Sequence, residues 1–292
     1  MAQPPTPNVW SDARGAGRHE LRVSYQPFYN LSSGRLQGHE ALLRERVGLT
    51  SSFRSAASSL LSMDTDQLLQ LDNWVARTAT SQLADWRRNH GMTELILSVN
   101  ISVPSLMDRA FVTALTQHLH ELGIVHDRIL FDIPAATLSA AQLDGECMAG
   151  INRLRTLGFT FCIDGIDGAN ARALDPAVWR SVDIAKLRPS VLRTTTQAPA
   201  GTADTSDMAQ DAVAAVLGAG SHRPDPVRSD ERFYTLCESL HDRDLPILVT
   251  GVETAEHLHL ARSLGCEWAQ GYFLGEPTFP TEIPPGATAL RA

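Results

Sequence analysis

The chain has 292 residues, of which 43% are hydrophobic and 20% are charged, and its formal net charge is −8. This length is enough for one large α/β domain of about 250 residues. The acidic balance argues against a duplex nucleic-acid partner, because such proteins usually present a basic face. No run of residues is apolar enough for a membrane span, so we also expect no membrane partner.

The cysteines and the chain ends indicate a cytoplasmic protein. The four cysteines are widely spaced and form no C-x-x-C pair, so we expect buried, reduced thiols. Residues 1–20 lack an apolar signal core and are predicted to be a disordered N-terminal tail, not a targeting peptide. Residues 281–292 are predicted to be a C-terminal tail.

The first predicted element is a β-hairpin. A strand-like run at 22–29 is followed by a turn signal at 30–34 and a return strand at 38–46. Glu40 and Arg44 are four residues apart, so on one extended strand they point to the same side. A carboxylate beside a guanidinium suits a divalent metal next to a phosphate. A solvated surface strand would look the same, and these residues alone do not separate the two interpretations.

Helical and strand-like patterns alternate after the hairpin. The apolar spacing predicts helices at 63–90, 110–123, 138–158, 231–243 and 255–264. Strands are predicted at 95–102, 128–133, 159–164, 182–187, 246–253 and 266–272. This alternation predicts a parallel α/β sheet, either open or closed.

Polar side chains lie at or near the ends of the predicted strands. They are Asn100, Asp132, Asp164, Lys186, Glu253 and Gln270. A single polar residue in such a place is usually a satisfied core group, but each of these would then need its own buried partner. Strand C-termini are where α/β barrels build their sites, so the pattern predicts one shared binding site.

Residues 194–230 differ in composition from the rest of the chain. They are rich in Thr, Ala, Gly, Pro and Asp and have almost no aromatic residues, which predicts a disordered insertion. A neutral surface loop is the simpler interpretation. A regulatory or partner-docking element is the alternative.

Together these residues resemble the EAL domain, the cyclic-di-GMP phosphodiesterase fold of bacterial second-messenger signalling. The resemblance covers about residues 21–280. The matching motifs are Tyr25-Gln26-Pro27, Glu40-Ala41-Leu42-Leu43-Arg44, Val99-Asn100-Ile101-Ser102, Asp164, Lys186, Gly251-Val252-Glu253-Thr254 and Gln270-Gly271-Tyr272. The resemblance implies a TIM-like (βα)8 barrel whose first strand runs antiparallel to the others.

The resemblance also implies roles for single residues. Active members hold two Mg²⁺ or Mn²⁺ ions that polarise the scissile phosphate. The implied metal ligands are Glu40, Asn100, Asp132 and Asp164. The implied ligand-binding residues are Gln26, Leu42 and Arg44. Lys186, Glu253 and Gln270 match catalytic positions and are predicted to be vestigial.

Several family acids are missing from this sequence. Asp132 stands where the family has Glu, Gly165 replaces the second aspartate of a pair, and Thr250 replaces the glutamate that acts on water. Ala135 replaces a glutamate that secures the loop after the paired aspartates. A hydroxyl cannot replace a general base, a role worth about 10²–10⁴-fold in rate.

We therefore predict that the two-metal site is lost and that at most one Mg²⁺, Mn²⁺ or Ca²⁺ ion is held. The alternative is a rescue in which Asp167 swings into the gap left at Gly165.

The sequence thus predicts a degenerate EAL-domain protein of the bacterial cytoplasm with little or no hydrolysis. It would act as a cyclic-di-GMP receptor or as a regulator that binds an unidentified protein, and it could form a homodimer. One alternative is an active phosphodiesterase that produces pGpG. Another is a barrel that binds only protein and has lost the nucleotide.

Overall fold

The computed structural model describes residues 8–11, 18–47, 52–61, 63–141, 145–168, 170–188 and 229–282. Most of the predicted insertion at 194–230 lies outside this part of the chain, as do most of the predicted C-terminal tail and residues 1–7. The predictions made for those segments therefore stay predictions.

The strands form one sheet that closes on itself. They are β1 (Asn8–Ser11), β2 (Arg18–Asn30), β3 (Leu36–Val47), β4 (Arg54–Ser55), β5 (Ile96–Asn100), β6 (Ile129–Pro134), β7 (Thr160–Ile166), β8 (Ile184–Leu187), β9 (Ile247–Val249) and β10 (Trp268–Gln270). Their order is β1-β2-β10-β9-β8-β7-β6-β5-β3-β4, and an additional β2–β3 pairing closes the barrel.

Strand direction confirms the barrel type that the resemblance implied. β3 and β5 to β10 run parallel to one another, whereas β2 is antiparallel to its two barrel neighbours, β3 and β10. Eight strands therefore form a closed α/β barrel whose first strand runs against the other seven. β1 and β4 extend the sheet beyond this barrel.

The helices surround the barrel between its strands. In the described residues they are α1 (Ala57–Leu60), α2 (Thr65–His90), α3 (Val103–Met107), α4 (Arg109–Leu122), α5 (Ala135–Ala141), α6 (Gly145–Thr156), α7 (Asn170–Ala173), α8 (Pro176–Trp179), α9 (Ser229–His241) and α10 (Ala255–Ser263). Short 3₁₀ turns lie at His126–Arg128 and Pro280–Glu282.

Helix α2 shows how local sequence sets an element's ends. The Asp64 side chain accepts a hydrogen bond from the Gln67 N–H, and the Gln67 side chain accepts one from the Asp64 N–H, which forms a capping box. Gly91 ends the helix in the left-handed conformation that glycine adopts without a Cβ clash. The predicted end of this helix at residue 90 is confirmed.

The structure corrects two of the predicted boundaries. The single helix expected at 138–158 is two helices, α5 and α6, and α5 already begins at Ala135, directly after β6. Part of the expected N-terminal tail is ordered, because β1 pairs antiparallel with β2 from Asn8↔Leu21 to Ser11↔Arg18. An uncovered strand edge presents a row of unpaired N–H and C=O groups. β1 forms hydrogen bonds with those groups on β2.

One close approach sets the register of the hairpin against β5. A Cβ on Gly38 would lie 2.1 Å from the Ile96 carbonyl oxygen and 2.5 Å from the Phe28 ring. Only glycine lets β3 pair this closely with β5 at that point. Glu40, two residues further along β3, is thereby held beside Ser98 of β5.

Two further expectations concern cysteines and membrane spans. All four cysteines are buried free thiols, as expected. Among the described helices, none combines the length and the apolar character that crossing a bilayer requires.

Candidate functional site

A buried ionic cluster lies inside the barrel. The Lys186 Nζ on β8 is 2.8 Å from the Glu40 Oε1 on β3 and 2.9 Å from the Asp132 Oδ2 on β6. The Ser98 hydroxyl on β5 donates to the same Asp132 oxygen at 2.6 Å. Exposure of the Glu40, Asp132 and Lys186 residues is 7%, 0% and 3%. These charged groups are therefore buried, and the attraction between opposite charges offsets the cost of removing each of them from water.

Two glutamines extend the cluster toward β2. The Gln270 Nε2 donates to the Glu40 Oε2 at 2.8 Å and also lies 3.2 Å from the Gln26 Oε1. The Gln26 amide in turn donates to the Gly275 carbonyl at 3.1 Å. Antiparallel pairing of Gln26 with Glu40 places both on one face of the hairpin. These contacts join the first, second and last barrel strands in one network.

Two buried oxygen atoms in this network have no partner among the described residues. They are the Asp132 Oδ1 and the Gln270 Oε1. Both are acceptors, and buried acceptors are nearly always paired with protein, water or a bound group. The cluster therefore has open positions for a donor or a cation.

The charges shift one another's pKa values. Burial is the largest influence on Asp132, and with the Glu40 and Asp164 charges it raises the pKa to about 6 against the opposing attraction of Lys186. Burial also works to raise the pKa of Glu40, but the Lys186 ammonium and the Gln270 and Asn100 amides hold it below its usual value. Burial would lower the pKa of Lys186, yet Asp132, Glu40 and Asp164 raise it well above its usual value.

The other predicted site residues lie around this cluster. Asn100 ends β5, and its Nδ2 is 3.5 Å from the Glu40 Oε1. Asp164 is half-buried near the end of β7, and its pKa is raised, chiefly by burial. Glu253 follows β9 and is exposed, with its backbone N–H donating to the His257 Nδ1 at 3.3 Å. In the described residues, no hydrogen bond or ion pair joins the Glu253 side chain to the cluster.

The comparisons with known proteins identify the family to which this barrel belongs. The family model described as "EAL domain" matches residues 10–216. The chain belongs to the EAL domain family. The barrel with its antiparallel first strand and the position of Glu40 on the second barrel strand agree with that membership.

Relatives of known function are distant. A cyclic di-GMP phosphodiesterase of Pseudomonas aeruginosa is 26% identical over 270 residues, which cover 90% of this chain and 39% of that protein. The chain spans 31%, 29% and 39% of three of the curated relatives that it matches. It therefore corresponds to about a third of their length.

Solved EAL structures share the fold. The FimX EAL domain from Pseudomonas aeruginosa, bound to c-di-GMP, has a TM-score of 0.65 at 20% identity and covers 88% of this chain and 90% of that one. The Bacillus subtilis YkuI protein, in complex with c-di-GMP and calcium, has a TM-score of 0.63 at 17% identity, covering 88% and 55%.

The positions at which the chain departs from the EAL pattern have their own local contacts. The Thr250 hydroxyl donates to the Leu187 carbonyl at 2.8 Å and so ties β9 to β8. Ala135 is fully buried at the start of α5. Gly165 has φ +75°, a left-handed conformation that side chains rarely adopt.

Asp167, the residue proposed as a rescue, is engaged in the loop after β7. Its Oδ1 accepts the Asn170 N–H at 2.8 Å, and its own N–H donates to the Asn170 Oδ1 at 2.9 Å. The Asn170 Nδ2 donates to the Gly165 carbonyl at 2.8 Å. Asp167 thus shapes the start of α7, so the structure does not place it in the gap at Gly165.

Arg44 lies on the same hairpin face as Glu40, further from the cluster. Its Nε donates to the Ser24 hydroxyl at 2.9 Å, and that hydroxyl is 3.4 Å from the Leu42 carbonyl. Arg22 pairs directly with Arg44 across the two strands. The Glu20 carboxylate accepts from both Arg22 and Arg46 and supplies an anion beside these arginines.

An arginine–phenylalanine cluster, made of Arg22, Arg46, Phe53 and Phe279, covers the outer end of the same face. The Arg22 guanidinium is 4.7 Å from the Phe53 ring centre and 5.7 Å from that of Phe279, and the two rings are 5.3 Å apart. Arg46 is 5.1 Å from the Phe53 ring. Sequence reasoning missed this cluster. The even spacing of positions 22, 44 and 46 was the available signal, but nothing in the sequence joined Phe53 to Phe279.

Proposed function

We propose that this chain is a degenerate EAL-domain protein that binds cyclic-di-GMP and hydrolyses it little or not at all. The observation that carries this proposal is the Thr250 hydroxyl, which stands where the family has a glutamate and donates to the Leu187 carbonyl at 2.8 Å. With Gly165 and Thr250 in place of acids, two ions would lack the carboxylates and the base that hydrolysis requires.

The donor set matches the metal centre of the family only in part. Glu40, Asn100, Asp132 and Asp164 are oxygen donors of the kind that Mg²⁺, Mn²⁺ and Ca²⁺ take. Among the described residues, however, no three His, Cys, Asp or Glu side chains are grouped closely enough for a metal site. The residues do not fit a two-ion centre.

One ion is the most that these four side chains would hold. It would have to compete with Lys186 for Glu40 and Asp132, and the unpaired Asp132 Oδ1 is the oxygen it would meet. When bound, such an ion would neutralise carboxylate charge beside a phosphate. Asp132 is also one methylene shorter than the family glutamate, which withdraws its carboxylate by about 1.5 Å.

The hairpin face supplies the contacts for a nucleotide. Arg44 would donate to a phosphate, Leu42 would pack against an apolar edge, and Gln26 would hold the inner end of the face. The arginine–phenylalanine cluster offers ring and guanidinium planes against which a purine base can stack. The c-di-GMP bound in the FimX and YkuI structures supports this choice of ligand.

The proposal is tested by calorimetry with cyclic-di-GMP, with and without Mg²⁺, beside a chromatographic assay for pGpG. We expect saturable binding and no measurable product. Turnover near 1 s⁻¹ or faster would contradict the proposal and establish the active phosphodiesterase. Absence of both binding and product would instead favour the protein-binding barrel.

Three further predictions rest on sequence alone. They are the unidentified protein partner, the homodimer and the cytoplasmic location. Size-exclusion chromatography with light scattering, with and without cyclic-di-GMP, tests the dimer directly.

A further inference from the structure

An arginine of this chain lies against Gly165, the residue that follows Asp164. Arg188 directly follows β8, and its backbone N–H donates to the Ile166 carbonyl at 3.1 Å. Its side chain turns back over β7, where the Nε donates to the Gly165 carbonyl at 2.7 Å. The guanidinium therefore lies against the residue that immediately follows Asp164.

The same guanidinium lies where a side chain at position 165 would be. A Cβ built on Gly165 would be 3.1 Å from the Arg188 Nε, 3.5 Å from its Nη2 and 3.7 Å from its Cζ. The Asn170 Nδ2 shares the Gly165 carbonyl at 2.8 Å and holds this loop in place. Glycine at 165 and arginine at 188 are thus sterically matched to each other.

The charge of Arg188 also matters to the site. Glu40, Asp132 and Asp164 bring negative charge into one pocket, and Lys186 contacts the first two of them. Burial raises the pKa of the third, Asp164, and the charge of Arg188 acts in the opposite direction. An arginine keeps its charge at every accessible pH, so this cation is permanent.

We propose that Arg188 is a built-in cation that takes the place of a divalent ion beside Asp164 and offers its guanidinium to a ligand phosphate. The glycine at position 165 then does more than remove an acid. It leaves room for the Arg188 guanidinium, which supplies the positive charge that a divalent ion would otherwise bring. The choice of a phosphate ligand rests on the proposed function, whereas the exclusion of an ion does not. The two parts are therefore tested separately.

The first experiment titrates Mn²⁺ into the full chain without nucleotide and follows binding by calorimetry. The wild type should take no more than one Mn²⁺ per chain. Arg188→Gln should bind Mn²⁺ at least fivefold more tightly or take a second ion, because a like charge has been removed from beside Asp164. Arg180→Gln, the same charge change at an exposed position, should match the wild type. Equal Mn²⁺ binding by all three proteins would overturn the proposal.

The second experiment measures cyclic-di-GMP binding in EDTA and then with Mn²⁺. Arg188→Gln should weaken binding at least tenfold in EDTA, and Mn²⁺ should restore most of that loss in the variant. Arg188→Lys keeps the positive charge but not the planar guanidinium, so it should lose less cyclic-di-GMP affinity than Arg188→Gln. This comparison separates an effect of charge from a folding defect. Unchanged affinity in Arg188→Gln would refute the phosphate role. If the wild type bound no cyclic-di-GMP, the proposed function and the phosphate role would both fail, and the Mn²⁺ result would still decide whether Arg188 excludes an ion.

Discussion

The buried carboxyl of Asp132 makes a quantitative test of the ionic cluster. Burial and the neighbouring acids raise its pKa to about 6 in the folded chain, whereas an aspartate in an unfolded chain has a pKa of about 3.9. The folded state therefore holds this proton more tightly. The resulting stabilisation is complete below about pH 4 and is lost as the pH rises through about 6, a change of about 3 kcal/mol.

Asp132→Asn should remove this dependence, because asparagine does not titrate. The free energy of unfolding of the variant, minus that of the wild type, should rise by up to about 3 kcal/mol between pH 4 and pH 7. The attraction of Lys186 is already contained in the pKa of about 6, so loss of this ion pair adds no further change to the rise. Glu40, whose pKa is shifted the opposite way, is present in both proteins and largely cancels.

Urea unfolding followed by circular dichroism at pH 4, 5, 6 and 7 measures this difference. Asp242→Asn is the matched control, because that aspartate is exposed after α9. Its free energy of unfolding should stay within about 0.5 kcal/mol of the wild-type value at each pH. If the stability difference for Asp132→Asn were constant or fell with increasing pH, burial would not raise the pKa of the Asp132 carboxyl.

Three further changes test the ligand face, the lost acids and the insertion. Arg44→Ala should weaken the binding of cyclic-di-GMP by about 1.5–3 kcal/mol of binding free energy, the range for a charged hydrogen bond, as measured by calorimetry. Restoring Gly165→Asp and Thr250→Glu together should give little pGpG, because Arg188 fills the space beside position 165. Adding Arg188→Ala to that pair should raise the rate measured by chromatography. Limited proteolysis should cut first within 194–228, and a Gly/Ser linker in its place should leave the melting temperature unchanged, since loop-closure entropy changes slowly with length.

Each of these changes has its own control or contrary outcome. Arg35→Ala, at an exposed position before β3, should leave nucleotide affinity unchanged. Product release by the double variant as fast as by the triple variant would show that Arg188 does not obstruct the site. A chain that unfolds when the insertion is replaced would show that this segment is part of the structure.

Sequence alone determined much of the barrel and the approximate place of the site. The apolar runs became barrel strands, and the capping residues fixed the ends of α2, because both depend on neighbours along the chain. Polar residues at strand ends predicted a shared site, and three of them contact each other or Glu40 of the hairpin directly: Asp132, Lys186 and Gln270. Period-two spacing also placed Glu40 and Arg44 on one face.

Only the tertiary structure decided which charges pair and which side chain lies against Gly165. Lys186 contacts Glu40 and Asp132 because closure of the barrel turns their strands toward one interior. The sequence shows Gly165 as a missing acid, but it does not show that Arg188 fills the same space. Spacing along a strand sets the face on which a side chain lies, whereas its partner across the barrel depends on how all the strands close, and no local pattern contains that information.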